Sequence, residues 1–142
     1  MRKWLIAVVF VAGCGGGDEL SGTSWFALSG GVGTSLSFDD SHGYAMAAGF
    51  SSGGSFQLEV QRGTYAISGG SLTFSARESS CPNTPRSASE RFALSGSTLA
   101  IGDASDAIVF ARDSGDPPNG AISYGCFDAS GAFAPMAIHP VQ

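Results

Sequence analysis

The sequence predicts an all-β domain built as an antiparallel meander, and three observations carry that prediction. Apolar residues alternate with polar ones at period two, as at Phe56, Leu58 and Val60 against Gln57, Glu59 and Gln61. Glycine and serine recur between such runs, and both are poor helix formers. A hairpin-like unit is repeated: Tyr65-Ala-Ile-Ser-Gly-Gly-Ser-Leu72-Thr-Phe74 aligns with Phe92-Ala-Leu-Ser-Gly-Ser-Thr-Leu99-Ala-Ile101 at a constant offset of 27 residues. No amphipathic helix of ordinary length is visible.

Taken in order, the first strands are predicted over 25–28, 36–38 and 44–50. Phe56, Leu58 and Val60 mark a half-buried strand, continued after Gly63 by Tyr65 and Ile67. Ser68-Gly69-Gly70-Ser71 turns the chain, because paired glycines accept the positive φ angles of a tight hairpin. Leu72 and Phe74 carry the return, then Phe92 and Leu94 pair with Leu99 and Ile101 across Ser95-Gly96-Ser97. Further strands are expected over 107–112, 122–127 and 132–138, the last two forming an extra C-terminal hairpin through Asp128-Ala-Ser-Gly131. Residues 78–90, with Pro82 and Pro85, and 113–120, with Pro117 and Pro118, read as loops. The inward-facing set is expected to be Phe56, Leu58, Val60, Tyr65, Ile67, Leu72, Phe74, Phe92 and Leu94.

The N-terminus has its own organisation. Arg2 and Lys3 precede an apolar run from Trp4 to Val11, the layout of a secretory signal. A membrane-spanning helix needs ~20 such residues, so the run is a signal core. Val11-Ala12-Gly13-Cys14 resembles the lipobox of bacterial lipoproteins. The resemblance implies a diacylglycerol on the Cys14 thiol, with Ala12 and Gly13 as the small residues that admit the peptidase. Residues 1–13 are then the leader, 14–21 the lipidated cysteine and a flexible tether, and 22–142 a single domain. Gly15 stands where an Asp would signal inner-membrane retention, so the resemblance implies the outer membrane of a bacterial envelope, on its periplasmic or surface face.

Without the leader, five Arg and no Lys face twelve Asp plus Glu, a formal balance of −7. Such a surface repels phosphates, which argues against nucleic-acid binding. With Cys14 lipidated, Cys81 and Cys126 remain as an even pair in an oxidising compartment, and a disulfide is expected between them. Metal binding by the pair is the rival, weakened by the lack of a His or third Cys nearby in sequence.

The succession of Trp25, Leu36-Ser-Phe38, Gly63-Thr-Tyr65, Leu72-Thr-Phe74, Phe92-Ala-Leu-Ser-Gly-Ser-Thr-Leu99 and Ile108-Val-Phe110-Ala-Arg112 resembles the small lipocalin-like domains of bacterial lipoproteins, of the calycin type. The resemblance covers roughly 22–112. It implies an up-and-down barrel of about eight strands. It also implies that Arg112 packs over Trp25 and closes the barrel base, although Gly22-Thr-Ser-Trp25 holds one residue more than the family's Gly-x-Trp.

Two local patterns invite chemistry. Gly49-Phe50-Ser51-Ser52-Gly53 matches the G-x-S-x-G nucleophile elbow, and Asp103 or Asp106 with His139 would complete a triad. An alternating run follows it, however, where an elbow needs a helix, so a loop is the better reading. Asp39-Asp40-Ser41-His42-Gly43 collects carboxylates and an imidazole, but a tight turn uses the same residues. No Gly-rich stretch leads into Lys-Ser/Thr, so nucleotide binding is unsupported. The expectation is a non-enzymatic lipoprotein without cofactor or metal, anchored to the membrane through Cys14. It would bind a small apolar ligand or, alternatively, another envelope protein through its loops. A hydrolase built on Ser51 ranks last.

Overall fold

The computed structural model describes residues 19–114 and 119–142. Cys14, the leader and most of the tether lie outside the described residues. Eight strands close into an antiparallel barrel: β1 (Ser24–Ser29), β2 (Val32–Phe38), β3 (Gly43–Ser52), β4 (Ser55–Ser68), β5 (Ser71–Ser79), β6 (Ser87–Ser95), β7 (Thr98–Ile101) and β8 (Ile108–Arg112). Each is hydrogen-bonded to its chain neighbours, and β8 returns to β1, with Trp25 opposite Arg112 and Phe26 opposite Ala111. Three strands lie outside the ring: β9 (Ala121–Phe127), β10 (Phe133–Pro135) and β11 (His139–Pro140). The predicted barrel with an added C-terminal hairpin, β9–β10, is therefore the observed architecture, and the described residues contain no helix.

The turns follow from the glycines. Gly30-Gly31, Gly53-Gly54 and Gly69-Gly70 all combine φ near +57° with φ near +84° (59/83, 57/83 and 55/85), the pattern of two-residue hairpin turns whose twist suits antiparallel strands. The strands are longer than the apolar spacing indicated. β5 runs on to Ser79 and β6 begins at Ser87, so the predicted loop over 78–90 shrinks to 80–86, where both prolines sit. The expected strand over 132–138 is only β10, and His139 and Pro140 cross to pair with Ser79 and Glu78 of β5.

β4 is the strand on which the architecture turns. It pairs with the whole of β3, from Ser55 opposite Ser52 to Thr64 opposite Gly43. On its other edge it pairs with β5 only from Gln61 to Ser68, while Ser55 to Leu58 pair in parallel with Ala121 to Tyr124 of β9. Where β5 departs the register slips: Arg62 faces Glu78 but Gly63 faces Ala76, so Arg77 is the extra residue of a bulge. At this crossing a Cβ on Gly63 would stand 1.9 Å from the Ser75 carbonyl oxygen, so only glycine fits.

The bulge corrects one expectation. Because the extra residue is on β5, β4 keeps unbroken alternation, and Tyr65 and Ile67 share a face with Gln57, Glu59 and Gln61. Phe56, Leu58 and Val60 therefore point out of the barrel, not into it. The other six predicted inward residues do face the core: Tyr65, Leu72 and Phe74 are buried, and Ile67, Phe92 and Leu94 pack against them.

The core fills one end of the barrel. Trp25, Leu36, Leu72, Leu99 and Leu20 are essentially inaccessible, each worth roughly 1.5–3 kcal/mol as an aliphatic or aromatic burial. Phe38 meets Tyr65 edge-on at 4.7 Å and Tyr44 meets Phe74 at 4.7 Å, so aromatic rings occupy the axis. At the base the Trp25 indole donates to Thr23 Oγ1 (2.8 Å), and the Arg112 guanidinium stands 4.7 Å from the indole centroid.

Candidate functional site

Concave regions among the described residues include one outside the barrel, one at its opposite mouth and one of ≈ 280 Å³ between β3 and the β9–β10 hairpin. The outer one is a groove of ≈ 400 Å³ across β1–β4, walled by Phe26, Leu28, Phe56 and Leu58 and reaching Asp113. Strand pairing puts these residues on one face: Phe26 opposite Ser35, Ser35 opposite Ala47, Gly49 opposite Leu58, Ser51 opposite Phe56. Gly33 and Gly49, directly paired, form the floor. The Phe26 ring lies on Gly33, where an added Cβ would be 3.0 Å from Cζ, and a Cβ on Gly49 would meet the Gln57 carbonyl oxygen at 1.9 Å. The absence of side chains there is what makes the surface concave. Leu28 is 71 % exposed and Phe26 41 %. Beyond the groove the apolar face continues to Val109 on β8 and Tyr124 on β9, both exposed.

The mouth is lined by Met46, Ala48, Glu59 and Gln61 from the inner face of β3 and β4, with Ser79 and the 81–85 segment forming the other wall of a ≈ 270 Å³ cleft. The β9–β10 hairpin covers the adjoining side. Phe127 stacks edge-on against Phe50 (5.2 Å) and leans on Phe133 (4.9 Å). A disulfide joins Cys81 to Cys126 and ties this hairpin to the segment after β5. Ser80 reinforces the tie, accepting from the Val60 amide (2.9 Å) and donating to the Gly125 carbonyl (2.6 Å). The Phe127 amide donates to Glu59 Oε2 (2.7 Å), which also lies 3.5 Å from Cys126 Sγ. A disulfide sulfur carries no proton, so that last approach is a contact and not a hydrogen bond.

Chain comparison adds no relative to this geometry. No protein-family model, no curated protein and no solved structure matches the chain.

Among the residues singled out from the sequence, Trp25 and Arg112 are in contact and Cys81 and Cys126 are bonded. The elbow-like segment is the end of β3 followed by the Gly53-Gly54 turn into β4, a β-hairpin with no helix. Ser51 lines the outer groove, His139 sits in β11 beside Ser79, and Asp103 and Asp106 lie between β7 and β8. Among the described residues no hydrogen bond joins Ser51 to any of the three.

Asp39 to Gly43 is a turn that consumes its own carboxylate. Asp39 Oδ1 accepts from the Gly43 amide (2.7 Å), the Ser41 amide (2.8 Å) and the Ser41 hydroxyl (2.9 Å). Asp128 does the same with Ser130 and Ala132 in the β9–β10 turn. These bonds favour the ionised form and hold both carboxyls below their ordinary range, led by the Gly43 amide for Asp39 and the Ser130 hydroxyl for Asp128. The groove and Glu59 were missed by sequence reading, because both depend on which way β4 faces.

Proposed function

We propose that this chain is a lipid-anchored, non-enzymatic protein of the bacterial envelope, with a lipocalin-like barrel that serves as an interaction module. The anchor rests on Val11-Ala12-Gly13-Cys14, and an oxidising location is supported by the Cys81–Cys126 bond. The observation that carries the reading is the inverted use of the barrel. Its interior is packed with Trp25, Phe38, Tyr44, Tyr65 and Phe74, while the apolar groove with Phe26, Leu28, Phe56 and Leu58 is outside. A filled barrel with an exposed apolar surface suits a protein partner better than an enclosed ligand. The surface that meets the partner is then the β1–β4 sheet, and not the loops over 78–90 and 113–120.

A small apolar ligand is the second reading, favoured by the groove's size, which falls in the range of about 300–1,000 Å³ usual for ligand sites. Site-specific photo-crosslinking in the native envelope separates the two. A photoreactive residue at Leu28 is expected to link a single discrete protein, whereas one at Thr73, on the opposite side of the ring, links none. Leu28→Glu is expected to abolish a partner's binding and leave the unfolding free energy from a urea titration within ~0.5 kcal/mol, since Leu28 is largely exposed. No discrete crosslink from Leu28, together with a bound mass of a few hundred daltons in native mass spectrometry, would move the assignment to the ligand.

A further inference from the structure

The barrel mouth holds a second set of groups that the interaction reading does not use. Glu59, Cys81 and Cys126 offer a carboxylate oxygen and two sulfurs that all lie within 4.8 Å of one another. We infer that the reduced form of the disulfide is a site for a divalent transition metal of the zinc type, with Glu59 as third ligand. Such an ion takes thiolate and carboxylate donors in a tetrahedral set, and three protein ligands leave its fourth position for water.

The three donors are separately held. Glu59 is fixed by the Phe127 amide at 2.7 Å, the kind of outer hydrogen bond that orients a ligating carboxylate. Cys126 stands at the pairing of β9 with β10, opposite Ala134. The Cys81 amide donates to Ser79 Oγ (3.0 Å), and its carbonyl accepts from Thr84 Oγ1 (3.1 Å), which keeps the segment in place without the covalent bond. An ion can reach the group, because the ≈ 270 Å³ cleft is lined by both Glu59 and Cys81. The sulfurs need only part from bonding distance to the separation two ligands of one ion require.

The chemistry balances simply. A reductant of the dithiol class gives two electrons and two protons to the S–S bond, producing two thiols and its own disulfide. The divalent ion then displaces both thiol protons to solvent, and two thiolates with one carboxylate outweigh its charge by one. Oxidation and metal binding are mutually exclusive at this site, so one pair of cysteines gives the hairpin either a covalent or an ionic fastening.

The test uses the full chain carrying Cys14→Ser in detergent, reduced with a phosphine that is removed before cobalt(II) is titrated anaerobically. One equivalent should bind, with the sulfur-to-cobalt charge-transfer absorption of a dithiolate site, and zinc should bleach it. The oxidised chain should show no such band. Glu59→Gln should weaken cobalt affinity at least tenfold, and Cys126→Ser should remove most of the charge-transfer intensity. Circular dichroism of each oxidised or metal-free variant reads the fold independently of the metal. Equal affinity in Glu59→Gln and the parent would reduce the site to an unstructured dithiol and overturn the inference, as would failure of the folded, reduced parent to bind.

Discussion

Tyr44 shows how one buried side chain fixes a pH limit. It is 4 % exposed, donates to Gln61 Oε1 at 2.7 Å and meets Phe74 edge-on. Burial disfavours the phenolate and pushes its pKa from 10.0 up to about 12. Between those values the unfolded chain loses this proton and the folded chain keeps it, so stability falls as pH rises through that window. Tyr44→Phe should flatten the fall between pH 10 and about 12, measured as the urea midpoint at each pH, at the cost of the hydrogen bond at neutral pH. Asp39 and Asp128 act at the other end of the scale. Their lowered pKa values add stability above the ordinary carboxylate range, lost as pH drops through the folded values. Both turns carry the spelling Asp-x-Ser, which was legible in the sequence as turn chemistry and needed no tertiary information.

At the scale of elements, the existence of strands was readable and the direction of one of them was not. Period-two alternation identified β4, but alternation alone does not say which face is inside. Taking both Phe56, Leu58, Val60 and Tyr65, Ile67 as inward requires a one-residue break in β4. The break exists, but it is Arg77 on β5, a residue with no apolar signal of its own. The parallel union of β4 with β9 was also hidden, since it depends on β5 leaving that edge free. Gly63 sits at the departure point. Gly63→Ala should destabilise the barrel by about 1–3 kcal/mol, as overpacking does, because the obstructing atom is a backbone carbonyl that cannot swing aside. Chemical denaturation of the variant checks this, with Ala66→Gly on the exposed face of the same strand as a comparison.

For the molecule as a whole, stability is divided between a packed end and a clasped end. Aromatic and leucine side chains hold the first, while the mouth relies on the Cys81–Cys126 bond across a separation of 45 residues. Replacing both cysteines by serine should cost about 2–5 kcal/mol in a urea titration, the usual loss for a small disulfide-bonded domain. The disulfide was legible from cysteine parity and the compartment that the N-terminal pattern leads one to expect, and the contact of Arg112 with Trp25 is where the sequence resemblance put it. The groove was not legible, because concavity arises from Gly33 and Gly49 meeting across β2 and β3 and no single segment contains both.

The pairing that closes the ring joins Trp25 near the start of the domain to Arg112 far along the chain. During synthesis, which delivers the N-terminus first, β1 can find β2 at once but must wait for β8. Until then its outer edge, with Phe26 and Leu28 beside it, is an open template for any passing strand. The time between those two events is the window in which that edge is exposed, and the finished barrel abolishes it.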